Sequence, residues 1–275
     1  MNPNPIALVV SDLAGTTVDY GSRAPLMAFC ELFKSFNIEV SEKQARIPMG
    51  KGKKEHIEEM LNMPEIAAKW QVAYDRSWNN NDLEAMYDRF IPLQLSVLKT
   101  YSQVIPGALE AIEVLRSKDI KIAATTGYNR AMTDLVVEEM GMQGIAFNCV
   151  FCADDVPAGR PEPWMIYRCM EATRTYPPSK VVKIGDTLAD IRDGVNAGVW
   201  TVGIALTGNM IGLPLEEIKS IPDDELKQRR ANAHALMYES GADMVIDSIS
   251  DIDSVLGSLV NRIDEGMKPG QKKRL

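Results

Sequence analysis

The stretch Val9-Val10-Ser11-Asp12-Leu13-Ala14-Gly15-Thr16-Thr17-Val18-Asp19-Tyr20-Gly21 decides the fold. The apolar run that leads into it, Ile6 to Val10, reads as a strand buried on both faces. That strand delivers the carboxylate of Asp12 to the carboxyl edge of a sheet, where open α/β sheets bind their ligands. Gly15, Thr16 and Thr17 suit a tight turn whose hydroxyls and N–H groups face the same pocket.

Outward from this stretch, 275 residues allow one large α/β domain, or a core with a smaller insert. A net charge of −8 argues against a nucleic-acid partner. No apolar run approaches the roughly 18 residues needed to span a membrane. MNPNPIALVV has neither the basic region nor the cleavage site of a secretion signal, so a cytoplasmic location is the expectation. Cys149 and Cys152 form a C-x-x-C, but within a strand their side chains point to opposite faces, which suits neither one metal nor one disulfide. Cys149 and Cys152 are expected to be buried free thiols.

Ala24 to Phe36 carries apolar residues at helical spacing, with Pro25 early in the helix. Ser41 signals a second helix, broken by Pro48-Met49-Gly50, and Gly52–Asn62, Pro64–Trp78 and Asp82–Leu98 continue the helical pattern. No strand is legible between about residues 22 and 99. Strands then alternate with helices: Ile120–Ala124, Phe147–Cys152, Lys180–Ile184, 199–204 and the edge strand Asp243–Ile246. The intervening helices include a polar stretch at 214–239 and a last helix near 249–263. This alternation predicts a parallel sheet with right-handed crossovers. The expected division is an α/β core from residues 1–21 and 100–265, a helical insert at 22–99, and a disordered basic tail at 266–275.

Four loops carry polar groups to one sheet edge: Asp12, Thr126-Gly127, Arg160 and Asp186. The set suits phosphoryl transfer. Asp12 and Asp186 offer hard oxygen ligands for Mg²⁺, Thr126 and the Gly127 N–H can hold phosphoryl oxygens near a helix start, and Arg160 can neutralise the transferring group. In this order the residues resemble the motifs of the haloacid dehalogenase (HAD) superfamily. That resemblance implies a Rossmann-like core, an aspartate nucleophile at Asp12, and the acidic motif Gly185-Asp186-Thr187-Leu188-Ala189-Asp190, with residues 22–99 as a cap. Asp190, one turn beyond Asp186, is expected to support the metal site rather than bind metal.

Phosphatases of that superfamily carry a second aspartate as general acid at the position of Ala14. The Ala14 side chain cannot do that work, although its carbonyl can ligate Mg²⁺. The insert holds a second clue in Pro48-Met49-Gly50-Lys51-Gly52-Lys53-Lys54-Glu55-His56. A charge cluster alone is usually a solvated face. With Thr125-Thr126-Gly127-Tyr128, Asp154 to Met165 and Asn196 to Gly203, however, it resembles the phosphonoacetaldehyde hydrolase (phosphonatase) family. The resemblance implies cleavage of a carbon–phosphorus bond in a small phosphonate substrate, with Lys53 as the Schiff-base residue and Asp12 as the phosphoryl acceptor. The family's cysteine after Tyr-Gly is replaced here by Ser22.

Lys53 must then be substantially neutral near pH 7, against a free-lysine pKa of about 10.4. Burial and the charges of Lys51 and Lys54 are the expected causes. His56 reads either as a proton relay or as helix-surface packing, and Met49 and Tyr128 as pocket lining or ordinary packing. The resemblance also implies a homodimer. The apolar helix with Met27, Phe29 and Phe33 is a candidate face, and packing inside the insert explains it equally well. An ordinary phosphatase and an inactive binding module are the competing readings, and Ala14 and the retained site residues respectively argue against them.

Overall fold

The computed structural model describes residues 5–271. β1 (Leu8–Ser11) is followed by five helices: α1 (Arg23–Ser35), α2 (Glu42–Arg46), α3 (Lys53–Leu61), α4 (Pro64–Tyr74) and α5 (Asn80–Tyr101). The chain then runs through α6 (Ala108–Ser117), β2 (Lys121–Thr126), α7 (Arg130–Met142), β3 (Cys149–Cys152), α8 (Trp164–Thr173), β4 (Val181–Gly185) and α9 (Leu188–Ala197). It closes with β5 (Trp200–Ile204), α10 (Leu215–Ile218), α11 (Asp223–Glu239), β6 (Met244–Ile246) and α12 (Ile252–Asp264). The single polar stretch expected at 214–239 is two helices, because Pro222 starts α11 as its cap. The helix expected to reach Trp78 stops at Tyr74, where Asp75 turns left-handed (φ 53°).

The six strands are parallel in the order β3-β2-β1-β4-β5-β6. Chain direction across the sheet reverses between β1 and β4, so the crevice at their carboxyl ends is the natural ligand site. Alternation along β1 fills both faces: Val9 joins the larger core, and Leu8 and Val10 pack with Ile166 and Cys169 of α8. All strand residues of β1 and β4 are buried, which explains their near-continuous apolar sequence.

The helices of the insert are built locally. Ser41 caps α2 with Gln44 reciprocating, and Asn79 caps α5 with Asp82 doing the same. Phe29 is fully buried at their centre, stacked on His56 at 3.7 Å and on Phe90 at 4.4 Å, so one ring locks α1 to α3 and α5. Phe29 and Phe33 are therefore packed inside the insert and unavailable to a partner; of the three residues considered, only Met27 is exposed. The expected disordered tail is also corrected in part. Gly270 N–H donates to the Asp243 carboxylate at 2.8 Å and Met267 N–H to the Arg262 carbonyl at 2.9 Å, so residues 266–271 fold back onto the core. The rest of that tail lies outside the described residues.

All four cysteines are free, with Cys152 and Cys169 buried and Cys30 and Cys149 only half-buried. Among the described residues no helix is long and apolar enough to cross a membrane. Phe29→Ala, which empties the centre of the insert, should cost about 3–5 kcal/mol in urea unfolding. Val72→Ala, at a position 87% exposed on α4, should move stability by less than about 0.5 kcal/mol.

Candidate active site

Pairing of β1 with β4 sets Ser11 opposite Ile184, and Asp12 N–H donates to the Ile184 carbonyl at 2.9 Å. Asp12 and Asp186 consequently leave neighbouring strands side by side. Both are buried, Asp12 at 5% exposure and Asp186 at 0%. Asp186 is held from several directions: its Oδ2 accepts from Ser22 Oγ (3.0 Å) and Asn209 N (2.7 Å), and its Oδ1 from Thr16 Oγ1 (3.4 Å). Gly15 adopts φ +81°, and a Cβ there would overlap the Asp186 carboxylate. The turn after β1 thus needs glycine for its backbone angle and for its closeness to Asp186.

Arg160 is buried behind Asp12. Its Nη2 donates to Asp12 Oδ1 at 2.7 Å and to Thr125 O at 2.7 Å, its Nη1 faces Asp190 at 2.9 Å, and its Nε faces Asp193 at 3.6 Å. Asp190 also pairs with Lys183 Nζ at 2.8 Å and accepts from Thr187 Oγ1 at 2.6 Å. Asp190 is thus occupied by protein partners and supports the site from behind. Lys183 and Asp193 were not singled out in the sequence. The signal available for Lys183 was a lysine inside the buried run Val181-Val182-Lys183-Ile184, where a charge must find a partner.

The electrostatics leave this cluster short of positive charge. Four buried carboxylates, Asp12, Asp186, Asp190 and Asp193, face two buried cations, Arg160 and Lys183. Burial, together with repulsion from Asp12 and Asp190, pushes Asp186 well above the carboxylate range. Asp12 is raised by burial and by Asp190, against the pull of Arg160. Burial pushes Asp193 up to about 7. With all four ionised, two negative charges remain, the charge of one divalent cation. Carboxylate oxygens of Asp12, Asp186 and Asp190 lie within 4.8 Å of one another. Hard oxygen donors and surplus negative charge fit a divalent ion, with Asp12, paired to one cation, and Asp186, for which no cation partner is described, as the residues to hold it rather than Asp190, paired to two.

The insert supplies the opposite wall. Asp12, Ala14, Ser22, Met49, Gly50, Lys53, Thr126, Gly127, Tyr128 and Arg160 line a cavity of about 20 Å³, room for about one water. Thr126, Gly127, Met49 and Tyr128 thus line the same cavity as Asp12 and Lys53, and the insert sits closed over it. Lys53, the first residue of α3, is 6% exposed with its Nζ 4.8 Å from the Tyr128 ring centre and 5.6 Å from that of Phe29. Burial in this aromatic slot lowers its pKa to about 8; Arg160 adds to the drop, while Asp12 and Asp19 oppose it. Lys51 and Lys54 are not the cause. Lys51 pairs with Glu55 and Glu59, and Lys54 with Glu84, so both are neutralised at the surface.

His56 is likewise not at the helix surface. It is fully buried, its Nε2 bonds the Ala45 carbonyl at 2.9 Å, and burial pushes its pKa well below 6.5. The neutral ring donates through Nε2, which leaves Nδ1 as a buried acceptor without a protein partner. Asp19, another residue the sequence reading did not select, accepts from Arg23 N (2.9 Å) and Ala24 N (3.0 Å) and so starts α1. Burial raises its carboxyl to about 7.

Closure depends on backbone proximity at Gly127. A Cβ there would overlap the Lys51 carbonyl and lie 2.9 Å from that of Gly50. Gly127→Ala should therefore hold the insert off the core and lower kcat/KM by about 100-fold, as expected for a misplacement near 1 Å. Steady-state kinetics with a melting curve checks this, the expectation being a Tm close to the parent's.

A haloacid dehalogenase-like hydrolase model matches residues 6–198. Phosphonoacetaldehyde hydrolase of Paraburkholderia phytofirmans is 36% identical over 264 residues, 96% of this chain and 99% of its own. The enzyme of that name from Bacillus cereus strain B4264 is 38% identical over 251 residues, 91% of this chain and 95% of its own. A crystal structure of a phosphonoacetaldehyde hydrolase-like protein from Oleispira antarctica superposes with a TM-score of 0.95, at 36% identity and 97% coverage of both chains. With an acid cluster at the β1–β4 crevice and a lysine closed over it, this chain is a hydrolase that belongs to the phosphonoacetaldehyde hydrolase family of the haloacid dehalogenase-like hydrolases.

Proposed function

We propose that the chain hydrolyses the carbon–phosphorus bond of phosphonoacetaldehyde to acetaldehyde and phosphate. The observation that carries this reading is the pairing of a buried, easily neutralised amine with a buried carboxylate in one closed cavity, Lys53 across from Asp12. A carbon–phosphorus bond breaks only if the carbon end can accept the electron pair. The neutral Lys53 Nζ attacks the substrate aldehyde, and loss of water leaves an iminium. Asp12 then attacks phosphorus, and the electrons of the carbon–phosphorus bond pass into the iminium to give an enamine. Protonation at carbon and hydrolysis release acetaldehyde and regenerate Lys53. Water attacking the aspartyl phosphate frees phosphate and restores Asp12.

Arg160, against Asp12, balances charge as the phosphoryl group arrives, and Thr126 and Gly127, in the same cavity lining, offer hydroxyl and N–H donors for its oxygens. A divalent cation, Mg²⁺ in this proposal, held by Asp12, Asp186 and the Ala14 carbonyl, supplies further neutralisation of the phosphoryl oxygens. His56, one turn beyond Lys53 on α3, is buried and neutral, with its Nδ1 lacking a protein partner. No alkoxide departs, so the reaction asks for no acid at position 14, and alanine is compatible with it. The cavity of about 20 Å³ is too small for the substrate, so the insert must open as a cap between turnovers.

Borohydride added with phosphonoacetaldehyde should trap one ethyl group on Lys53, found by peptide mass mapping and absent in Lys53→Arg. An untrapped chain that turns over simple phosphate monoesters instead would reject the proposal. The pH dependence has a definite sign. With a pKa of about 8, roughly a tenth of Lys53 is neutral at pH 7, about 200-fold more than for an ordinary lysine. Trapping should rise with pH to a midpoint near 8 and fade below it; a midpoint above 10 would place Lys53 outside the closed slot.

A further inference from the structure

Asp186 Oδ2 takes two hydrogen bonds from outside its own strand and loop. Ser22 Oγ, at the junction of core and insert, donates at 3.0 Å, and Asn209 N, in the loop after β5, donates at 2.7 Å. One side chain of the insert joins both suppliers. Arg46, the last residue of α2, donates through Nη1 to the Gly21 carbonyl (3.0 Å) and to Asn209 Oδ1 (3.0 Å). Its Nη2 donates to the Gly212 carbonyl (2.7 Å), and Asn209 Nδ2 reaches back to the Arg46 carbonyl (3.4 Å). The fit leaves no slack: Gly212 sits at φ +70°, and a Cβ there would lie 2.5 Å from the Arg46 Cζ. The guanidinium is part-buried, and every hydrogen-bond acceptor described for it is a neutral oxygen rather than a carboxylate. These bonds form only with the insert seated on the core.

We propose that Arg46 is a positioning residue that couples seating of the insert to the geometry of Asp186, so that closure and divalent-metal binding favour each other. When Arg46 withdraws, the loop carrying Asn209 and the backbone before Ser22 lose a shared clamp. Both donors to Asp186 Oδ2 are then free to drift. Partners that orient a metal-binding carboxylate are typically worth 10–100-fold in affinity. By linkage the coupling is reciprocal: metal held at Asp186 strengthens the seat of Arg46 as much as Arg46 strengthens the metal site. The proposal rests on the reading that Asp12 and Asp186 hold a divalent cation. It adds a residue of the insert, remote in sequence from either, that tunes their site.

The test is Mn²⁺ titration calorimetry on the full chain without substrate, comparing the parent with Arg46→Met, Asn209→Ala and the double variant. Arg46→Met keeps the apolar stem and removes the donors; Asn209→Ala removes the side-chain link but keeps the backbone donor to Asp186. Each should raise the Mn²⁺ Kd, Arg46→Met by about 10-fold. The double variant should match Arg46→Met rather than multiply the losses, because both cut one linkage. Arg46→Lys should recover part of the affinity. Parent-like Kd values in the single variants, or multiplying losses in the double, would overturn the coupling. Asn209→Ala carries the test should Arg46→Met fold poorly. A parent chain that binds no Mn²⁺ would overturn the metal reading itself, and the coupling with it.

Discussion

Two carboxylates forced together out of water are the constraint on which the rest of this structure depends. Pairing of β1 with β4 places Asp12 beside Asp186, and in a low-dielectric crevice burial raises both carboxyls while Asp12 further opposes the ionisation of Asp186. The surrounding residues respond to that problem. Gly15 and Gly208 keep their side-chain space empty so that the Asp186 carboxylate fits. Arg160 and Lys183 return two positive charges, and Asp190 and Asp193 in turn fix those cations. Breaking one partner out of such a network costs more than any single pair adds, because the remaining charges stay buried. The residual negative charge is what a divalent ion is suited to meet.

The insert brings chemistry that the sheet edge lacks. Strand-end loops deliver oxygen donors, hydroxyls and N–H groups, all suited to a phosphoryl group and none able to take electrons from carbon. In the proposed reaction that task falls to an iminium, which only a neutral amine can start to form, and solvent would keep the amine protonated. Lys53 is accordingly at the start of a helix inside the insert, walled by Phe29 and Tyr128 and reached from the core only on closure. The aromatic packing of the insert therefore serves the site directly: the ring that organises α1, α3 and α5 also desolvates the lysine.

Much of this was legible in the sequence where one local pattern determined the outcome. The strand before Asp12, the alternation after residue 100 and the loop residues at Thr126, Arg160 and Asp186 could be read because buried strands are short apolar runs with polar ends. What escaped detection depends on contacts between distant segments. Arg46 looks like any helix-ending arginine, and nothing near it in sequence points to Asn209 or Gly212. Lys51 and Lys54 looked like the cause of a neutral Lys53, but their glutamate partners lie one or two turns on, or on α5. Phe29 and Phe33 show helical spacing whether the face they cover belongs to the same chain or to another, so periodicity alone could not tell a dimer face from a core.

The two halves of the site are also coupled through charge. Asp12 raises the pKa of Lys53 and Arg160 lowers it, so the neutrality of the amine depends on how much negative charge Asp12 presents across the cavity. A divalent charge held at Asp12 and Asp186, as proposed, would cancel that upward pull and make the amine neutral more readily. The phosphonate dianion of the proposed substrate would pull the other way, towards a protonated Lys53, helping closure and hindering attack. Desolvation in the aromatic slot, with a smaller contribution from Arg160, favours the free amine whatever else is bound, and burial, rather than neighbouring lysines, supplies most of the shift.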